Sequence, residues 1–324
     1  MKFNRKVAVT LGDPSGVGPE VFLKSLENKT LKENLESILV VSDPMVLKRL
    51  SSDISHNLKL HDSNGFSDLK ADSINFFSIK GCHDYNLGSP NQENANYILS
   101  CIDKGIEMCI NDNSNLVTGP INKLQIANYD KNFNDHTSYL KTITEVDNVL
   151  MVLTNPKLTV GLLTTHLPLK EVTDQVTKSN LTNAIKTFEK GLCDFFHIKK
   201  PKIAVLGLNP HCGEGGKFGN EEIEIISPAI NELRLQGFRV EGPISADTAF
   251  LDNNFDGILA MYHDQALPVI KTLDFSTTVN VTFGLPFLRT SVDHGTAYDI
   301  SNKLIANPAS MIEALKIAGY GKKI

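Results

Sequence analysis

Residues 6–20 read KVAVTLGDPSGVGPE. A short apolar run is followed by a turn holding Gly12, Gly16 and Gly18, and Pro19 stands where a helix would begin. Proline is pre-organised for a first helical turn, so the stretch reads as strand, tight turn, helix: one β-α unit. Glycines let such a turn bring its backbone close to a ligand. The spacing is not G-x-G-x-x-G, so it carries no Rossmann dinucleotide fingerprint. A plain connector and a ligand-approaching turn are equally consistent with it.

Working outward, the same alternation recurs. Apolar runs at 6–11, 38–41, 74–79, 116–118, 149–153, 159–164, 203–207, 257–261 and 278–282 predict strands, several of them apolar throughout, as strands buried on both faces are. Between them lie helix patterns. Ser89-Pro90 reads as a capped start with Gln92 completing a capping box, and Ile98, Ile102, Ile106 and Cys109 follow at helical spacing. Residues 180–196 and 221–236 predict further helices, and a last one starts at Asn307-Pro308 and stops at Gly319. The expectation is an α/β chain with a parallel or mixed sheet and helices on both faces. Its 324 residues suit two lobes, but no repeat or low-complexity linker marks where they divide.

Composition narrows the function classes. The net charge of −5, with no basic run, gives no electrostatic case for nucleic acid. Tryptophan is absent, and no apolar stretch reaches the roughly 18 residues that span a bilayer. The five cysteines show no framework spacing and the N-terminus has no signal-peptide pattern, so a cytoplasmic enzyme with reduced thiols is expected.

Three histidines each stand just past a strand-like run: His166 after VGLLTT, His211 after IAVLGLNP and His263 after GILAMY. In open α/β sheets ligands bind outside the carboxyl ends of strands, and imidazole is the commonest ligand of catalytic divalent metals. A single strand-end histidine is more often a hydrogen-bonded structural residue, and no H-E-x-x-H or C-x-x-C spacing decides the matter. His56, His61, His83 and His197 lie in polar stretches and read as ordinary solvated side chains. Cys212 adjoins His211 and reads as a small filler more readily than as a ligand. Asp135-His136-Thr137 stands at a helix start, suited to an anion or simply to N-capping. Lys271, Asn280 and Arg289 are spaced among apolar residues, where a cation needs an anionic partner, internal or bound.

The blocks GDPSGVGPE, VTGPINK, TTHLPL, GLNPHCGEGG, ADTAF, AMYHDQ and GLPFLRTSVDHGTA occur in this order from Gly12 to near the C-terminus. Together they resemble the PdxA family, the 4-hydroxythreonine-4-phosphate dehydrogenases of vitamin B6 biosynthesis. The resemblance implies two α/β/α lobes around a central cleft, similar to isocitrate and isopropylmalate dehydrogenases, in a homodimer whose active site draws on both subunits. On that plan, residues 1–125 with 265–324 form one lobe, and 126–264 form a second with the dimer contacts. It implies metal ligation by His166, His211 and His263. It implies substrate binding by His136, Thr137, Lys271, Asn280 and Arg289, with Asp247 as a candidate base or supporting residue. A divalent metal (zinc, cobalt or magnesium) and NAD or NADP are the implied cofactors. The implied reaction is oxidation and decarboxylation of 4-phosphooxy-L-threonine. The family's usual GHTE is DHTS here, so Asp135 and Ser138 depart from it. Two alternatives are a sister dehydrogenase acting on another phosphorylated hydroxy acid and a non-redox phosphate-binding acyltransferase of related fold; the second needs no metal.

Overall fold

The run VAVT forms strand β1 (Val7–Thr10), buried at every position. The computed structural model describes residues 2–54, 59–133, 135–251 and 254–322, so His56 lies outside the described residues. The chain divides into two units, Met1–Glu145 with Leu285–Gly321, and Val146–Gly284 with Lys322–Ile324.

After β1 the first unit holds α1 (Gly18–Ser25), α2 (Lys29–Lys32), β2 (Ile38–Ser42), α3 (Pro44–Asp53), β3 (Lys59–Asp62), β4 (Ser73–Ser78), α4 (Ala95–Asp112), β5 (Asn115–Thr118), α5 (Lys123–Tyr129) and α6 (His136–Ile143). The second holds β6 (Leu150–Thr154), β7 (Thr159–Leu162), α7 (Leu169–Gln175), α8 (Lys178–Asp194), β8 (Ile203–Leu206), α9 (Ser227–Leu235), β9 (Val240–Ile244), β10 (Gly257–Ala260), α10 (His263–Leu273) and β11 (Val279–Phe283). The chain then returns to the first unit with β12 (Arg289–Val292), α11 (Tyr298–Ser301) and α12 (Ala309–Tyr320).

In the first unit the strand order is β3-β4-β2-β1-β5-β12, all parallel. Register shows what covers each face. Thr10 and Leu116 lie on one face, where a Cβ on Gly105 of α4 would sit 3.2 and 3.0 Å from them. On the other face Thr290 Oγ1 donates to Ala314 O and Asn115 Nδ2 to Ala318 O, both in α12. Helices therefore cover both sides, the expected α/β/α layering.

The second unit is mixed, in the order β11-β6-β7-β10-β8-β9. β11–β6 and β6–β7 are antiparallel, and β7, β10, β8 and β9 are parallel. Asn155 sets the β6–β7 turn, its Oδ1 accepting from the backbone N of Lys157 and Leu158 at 2.9 Å. Phe188 of α8 covers Gly161 and Gly257 on one face. Ala266, Leu267 and Ile270 of α10 pack with Val160, Leu162, Ile258 and Ala260 on the other.

Each of the nine predicted strand runs holds a strand; among the described residues, three further strands carry weaker patterns. β3 reads KLHD at a sheet edge, β9 holds Gly242-Pro243, and β12 is mostly polar yet buried. The long helix does not start at Ser89-Pro90. Ser89 N bonds Asn86 O in a turn, and Gln92 Nε2 reaches Gln125 O instead of closing a capping box. Asn91 caps a single 3-10 turn at Gln92–Asn94, and α4 follows from Ala95. The predicted helix at 221–236 opens with a wide π turn, Glu222–Ile226, before α9. α12 runs past Gly319, which is where the Phe3 ring packs, and ends at Gly321 with φ +80°. The unit boundaries fall at 145/146 and 284/285, about 20 residues beyond those expected. Packing explains the difference. Tyr139 of α6 bonds Asp103 of α4 at 2.6 Å, while α10 packs on the second unit's sheet and β11 pairs with β6.

Candidate metal and substrate residues

The ends of β7 and β10 are zipped together. Leu163 N bonds Ala260 O at 2.9 Å, and Thr164 Oγ1 donates to Met261 O at 2.8 Å. Two residues beyond Thr164 stands His166, and two beyond Met261 stands His263. Their rings lie 5.8 Å apart between centroids. With metal–nitrogen bonds of about 2.0–2.1 Å, two imidazoles on one ion span roughly 5–6 Å, so the pair fits shared ligation. His263 opens α10, and its Nδ1 lies 2.5 Å from Asp264 Oδ1. A carboxylate there fixes the proton on Nδ1 and leaves the Nε2 lone pair available to a metal. Asp264 was not singled out in the sequence, although its place beside His263 was a usable signal.

His211 is held differently. After β8 the backbone turns left-handed: φ is +50° at His211, +53° at Cys212, +76° at Gly213, +44° at Glu214 and +71° at Gly215. The His211 side chain is 66% exposed, with Nδ1 4.0 Å from Asp247 Oδ2. Asp247 is exposed too, and its carboxyl is held below the ordinary range, first by the Ser245 hydroxyl. An ionised carboxylate of lowered pKa is a weak proton acceptor but a good partner for an imidazole. Cys212 packs against Gly207, and burial pushes its thiol up, away from the thiolate a metal ligand needs. Among the described residues no three His, Cys, Asp or Glu side chains converge as a metal site. One chain therefore brings His166 and His263 together and leaves His211 apart.

Two other predicted residues lie in this unit. Lys271 is in the last turn of α10, its Nζ 5.7 Å from the Phe275 ring centre. Asn280 is on β11, and its Oδ1 is buried with no hydrogen-bond partner. A buried orphan acceptor costs free energy unless a donor arrives, which suits a bound ligand.

In the first unit, Arg289 at the start of β12 is buried, and Nε and Nη2 donate to Thr118 Oγ1 at 3.1 and 2.7 Å. Burial lowers its pKa to about 10, and Asp135 opposes the shift. His136 opens α6 with Nε2 buried and without a hydrogen-bond partner. Burial, then the charges of Arg289 and Lys123, hold it well below the ordinary histidine range, so it is neutral. Thr137 follows on the first turn. Asp135 is the N-cap, accepting from Ser138 N at 3.0 Å and Ser138 Oγ at 3.1 Å. The two departures from the family wording thus pair with each other and keep the helix start intact.

The glycine turn is explained by close backbone contact. A Cβ on Gly12 would lie 2.2 Å from Pro120 O, and one on Gly18 2.0 Å from Leu11 O. Asp13 within it is fully buried and accepts from Ser15 N at 2.8 Å and Tyr298 Oη at 2.6 Å. Burial raises its pKa against those hydrogen bonds.

Residues 34–318 match the family model described as pyridoxal phosphate biosynthetic protein PdxA. The chain belongs to the PdxA family. A PdxA relative, 4-hydroxythreonine-4-phosphate dehydrogenase of Sulfurihydrogenibium sp. (strain YO3AOP1), is 38% identical over 98% of this chain and 99% of its own. The enzyme of the same description from Marinobacter nauticus is 37% identical over 96% of this chain and 93% of its own. A 4-hydroxythreonine-4-phosphate dehydrogenase crystal structure from Klebsiella pneumoniae superposes with a TM-score of 0.88 at 32% identity, covering 97% of this chain and 98% of that one. The PdxA likeness thus covers both units. No helix among the described residues is long and apolar enough to cross a membrane.

Proposed function

We propose that this PdxA-family chain oxidises 4-phosphooxy-L-threonine at its C3 hydroxyl, with NAD or NADP accepting the hydride. The product, a β-keto acid, then loses CO2 and takes up a proton to give 3-amino-2-oxopropyl phosphate, a step toward vitamin B6. The observation that carries this reading is the His166–His263 pair at adjacent strand ends, with Asp264 fixing one ring. Such a neutral nitrogen donor set suits zinc or cobalt, and magnesium where substrate oxygens contribute.

His166 and His263 would hold the divalent cation, and His211 completes the set across a homodimer, two copies of the chain sharing each site. When bound, the cation supplies Lewis acidity, lowering the substrate hydroxyl's pKa and stabilising the negative charge that develops in both steps. Asp264 keeps the His263 proton on Nδ1, and Asp247 orients His211. Arg289 and Lys271 neutralise the phosphate and carboxylate of the substrate. His136, held neutral, offers Nε2 beside Thr137, and Asn280 Oδ1 accepts from a substrate donor such as the ammonium group.

The test combines purified protein with 4-phosphooxy-L-threonine, NAD or NADP, and zinc, cobalt or magnesium. The expected result is reduced cofactor and CO2 in equal amounts, lost on chelation. No reduced cofactor in any combination removes the proposal. Turnover only with a different phosphorylated hydroxy acid transfers it to a sister substrate.

A further inference from the structure

The left-handed segment 211–215 has a cause further along the chain. Non-glycine residues rarely hold positive φ, and His211, Cys212 and Glu214 all do, so surrounding structure must over-determine them. The side chain at the centre is Glu222, 2% exposed in the wide π turn before α9. Its Oε1 accepts from the backbone N of Leu208 at 2.8 Å and of Asn209 at 2.7 Å. Its Oε2 accepts from Asn209 Nδ2 at 2.9 Å. The loop then winds around the carboxylate. Cys212 N bonds back to Asn209 O at 3.1 Å, and Phe218 N bonds Gly213 O at 3.1 Å. A Cβ on Gly213, where φ is +76°, would lie 2.7 Å from Gly219 O and 2.9 Å from Glu222 Oε2, so only glycine passes there. π turns recur at functional sites, where an inserted residue re-aims a side chain.

We propose that Glu222 is a positioning residue for His211: by fixing Leu208 and Asn209, its carboxylate holds the strained loop that presents the imidazole to a metal ion. The inference rests on reading His211 as a metal ligand. Glu222 donates nothing to the ion itself. It acts by limiting where the His211 backbone can sit, while the exposed imidazole itself has Asp247 Oδ2 4.0 Å from Nδ1.

The experiment is a double-mutant cycle on metal-stripped, full-length protein titrated with cobalt(II) alone, read by cobalt visible absorption and by amide exchange over residues 207–216. Variants are Glu222→Gln, Asn209→Ala, His211→Ala and the Glu222→Gln/His211→Ala double. Glu222→Gln should weaken cobalt binding about 10- to 100-fold, the range for groups that orient a ligand, and alter the cobalt spectrum. Asn209→Ala, a milder change at a half-buried site, should act in the same direction and covers failure of Glu222→Gln to fold. The double variant should bind cobalt no more weakly than His211→Ala, because the two residues act as one unit. Independent, additive losses overturn the positioning role, as does wild-type cobalt affinity in both Glu222→Gln and Asn209→Ala. Wild-type affinity in His211→Ala is a separate failure: it removes the ligand reading itself, whatever Glu222 does.

Discussion

Replacing Arg289 by methionine should make the protein more stable and unable to bind its anionic ligand. Arg289 is 4% exposed, and burial brings its pKa to about 10. Each pH unit of displacement from the ordinary value corresponds to about 1.4 kcal/mol, so keeping the guanidinium charged in this site costs on the order of 3 kcal/mol. Its folded pKa lies below its unfolded one. The penalty is therefore at full value everywhere below about pH 10 and is relieved only as pH climbs toward the unfolded value. Against it stand its hydrogen bonds, the pair to Thr118 Oγ1 among them, which offset about 1.5 kcal/mol. Methionine has similar length, no charge and the flexibility to fill an irregular gap. The balance predicts Arg289→Met to be more stable by about 1 kcal/mol, the direction seen when buried ionic groups give way to apolar ones.

The assay is urea denaturation at pH 7.5 with and without inorganic phosphate. An anion at a hundred times its dissociation constant should add about 2.7 kcal/mol to wild type and nothing to the variant. A variant destabilised by more than about 1 kcal/mol, or still stabilised by phosphate, would refute the reasoning and make Arg289 a structural residue.

His136 adds a pH dependence. It is held neutral in the fold while an unfolded histidine protonates near pH 6.5, so its contribution is intact above about 6.5 and lost as pH falls. The slope should reach at most about 1.4 kcal/mol per pH unit, and His136→Gln should flatten it in denaturation midpoints compared at pH 5.5 and 7.5. Gly191→Ala, normally favourable in a helix, should destabilise by roughly 1–3 kcal/mol, because its Cβ would lie 2.2 Å from the Phe283 ring. Thermal unfolding of that variant no earlier than wild type would contradict the packing. His263→Ala should abolish turnover with the fold intact by circular dichroism, and Asp264→Asn should weaken metal binding about 10- to 100-fold by equilibrium dialysis. At limiting metal, turnover should fall on acidification as protons compete for the ligand nitrogens, and a profile flat down to about pH 5 would contradict ligation by histidine.

The strands legible in the sequence are those whose two faces are both covered. β1, β2, β5, β8 and β10 are buried at each position, so an apolar run was all that was needed to find them. β12 is equally buried but spends its positions on Arg289, Thr290 and Ser291, the first donating to Thr118 and the second to Ala314 of α12, rather than reading as apolar. Its polarity hid the strand and carries the candidate residue Arg289 at the same time. The start of α4 failed for a different reason. Ser89-Pro90-Asn91-Gln92 has the right local chemistry for a cap, but Gln92 finds a tertiary partner in Gln125 and Gln125 Nε2 returns to Asn91 O. Local propensity was outweighed by a contact 33 residues away, which no window of sequence contains.

The three histidines separate along the same line. His166 and His263 follow parallel neighbours paired Leu162 with Ala260, so nearly equal distances past the two strands place the rings side by side. Strand-end position therefore had geometric content for that pair, and one chain is enough to realise it. His211 also follows a buried strand, yet its place depends on a left-handed loop wound about Glu222, and position along the chain says nothing of where such a loop points. On the proposed ligand set, two register-fixed histidines and one loop-borne histidine give two different sensitivities. Sheet register protects His166 and His263 against change nearby, whereas the loop that carries His211 is held by the buried Glu222 carboxylate. That asymmetry is what the metal-binding cycle on Glu222 and His211 measures. On the proposed homodimer it also suits a histidine that would complete a site across a second copy of the chain, where the loop would adjust to a partner that the sheet does not fix.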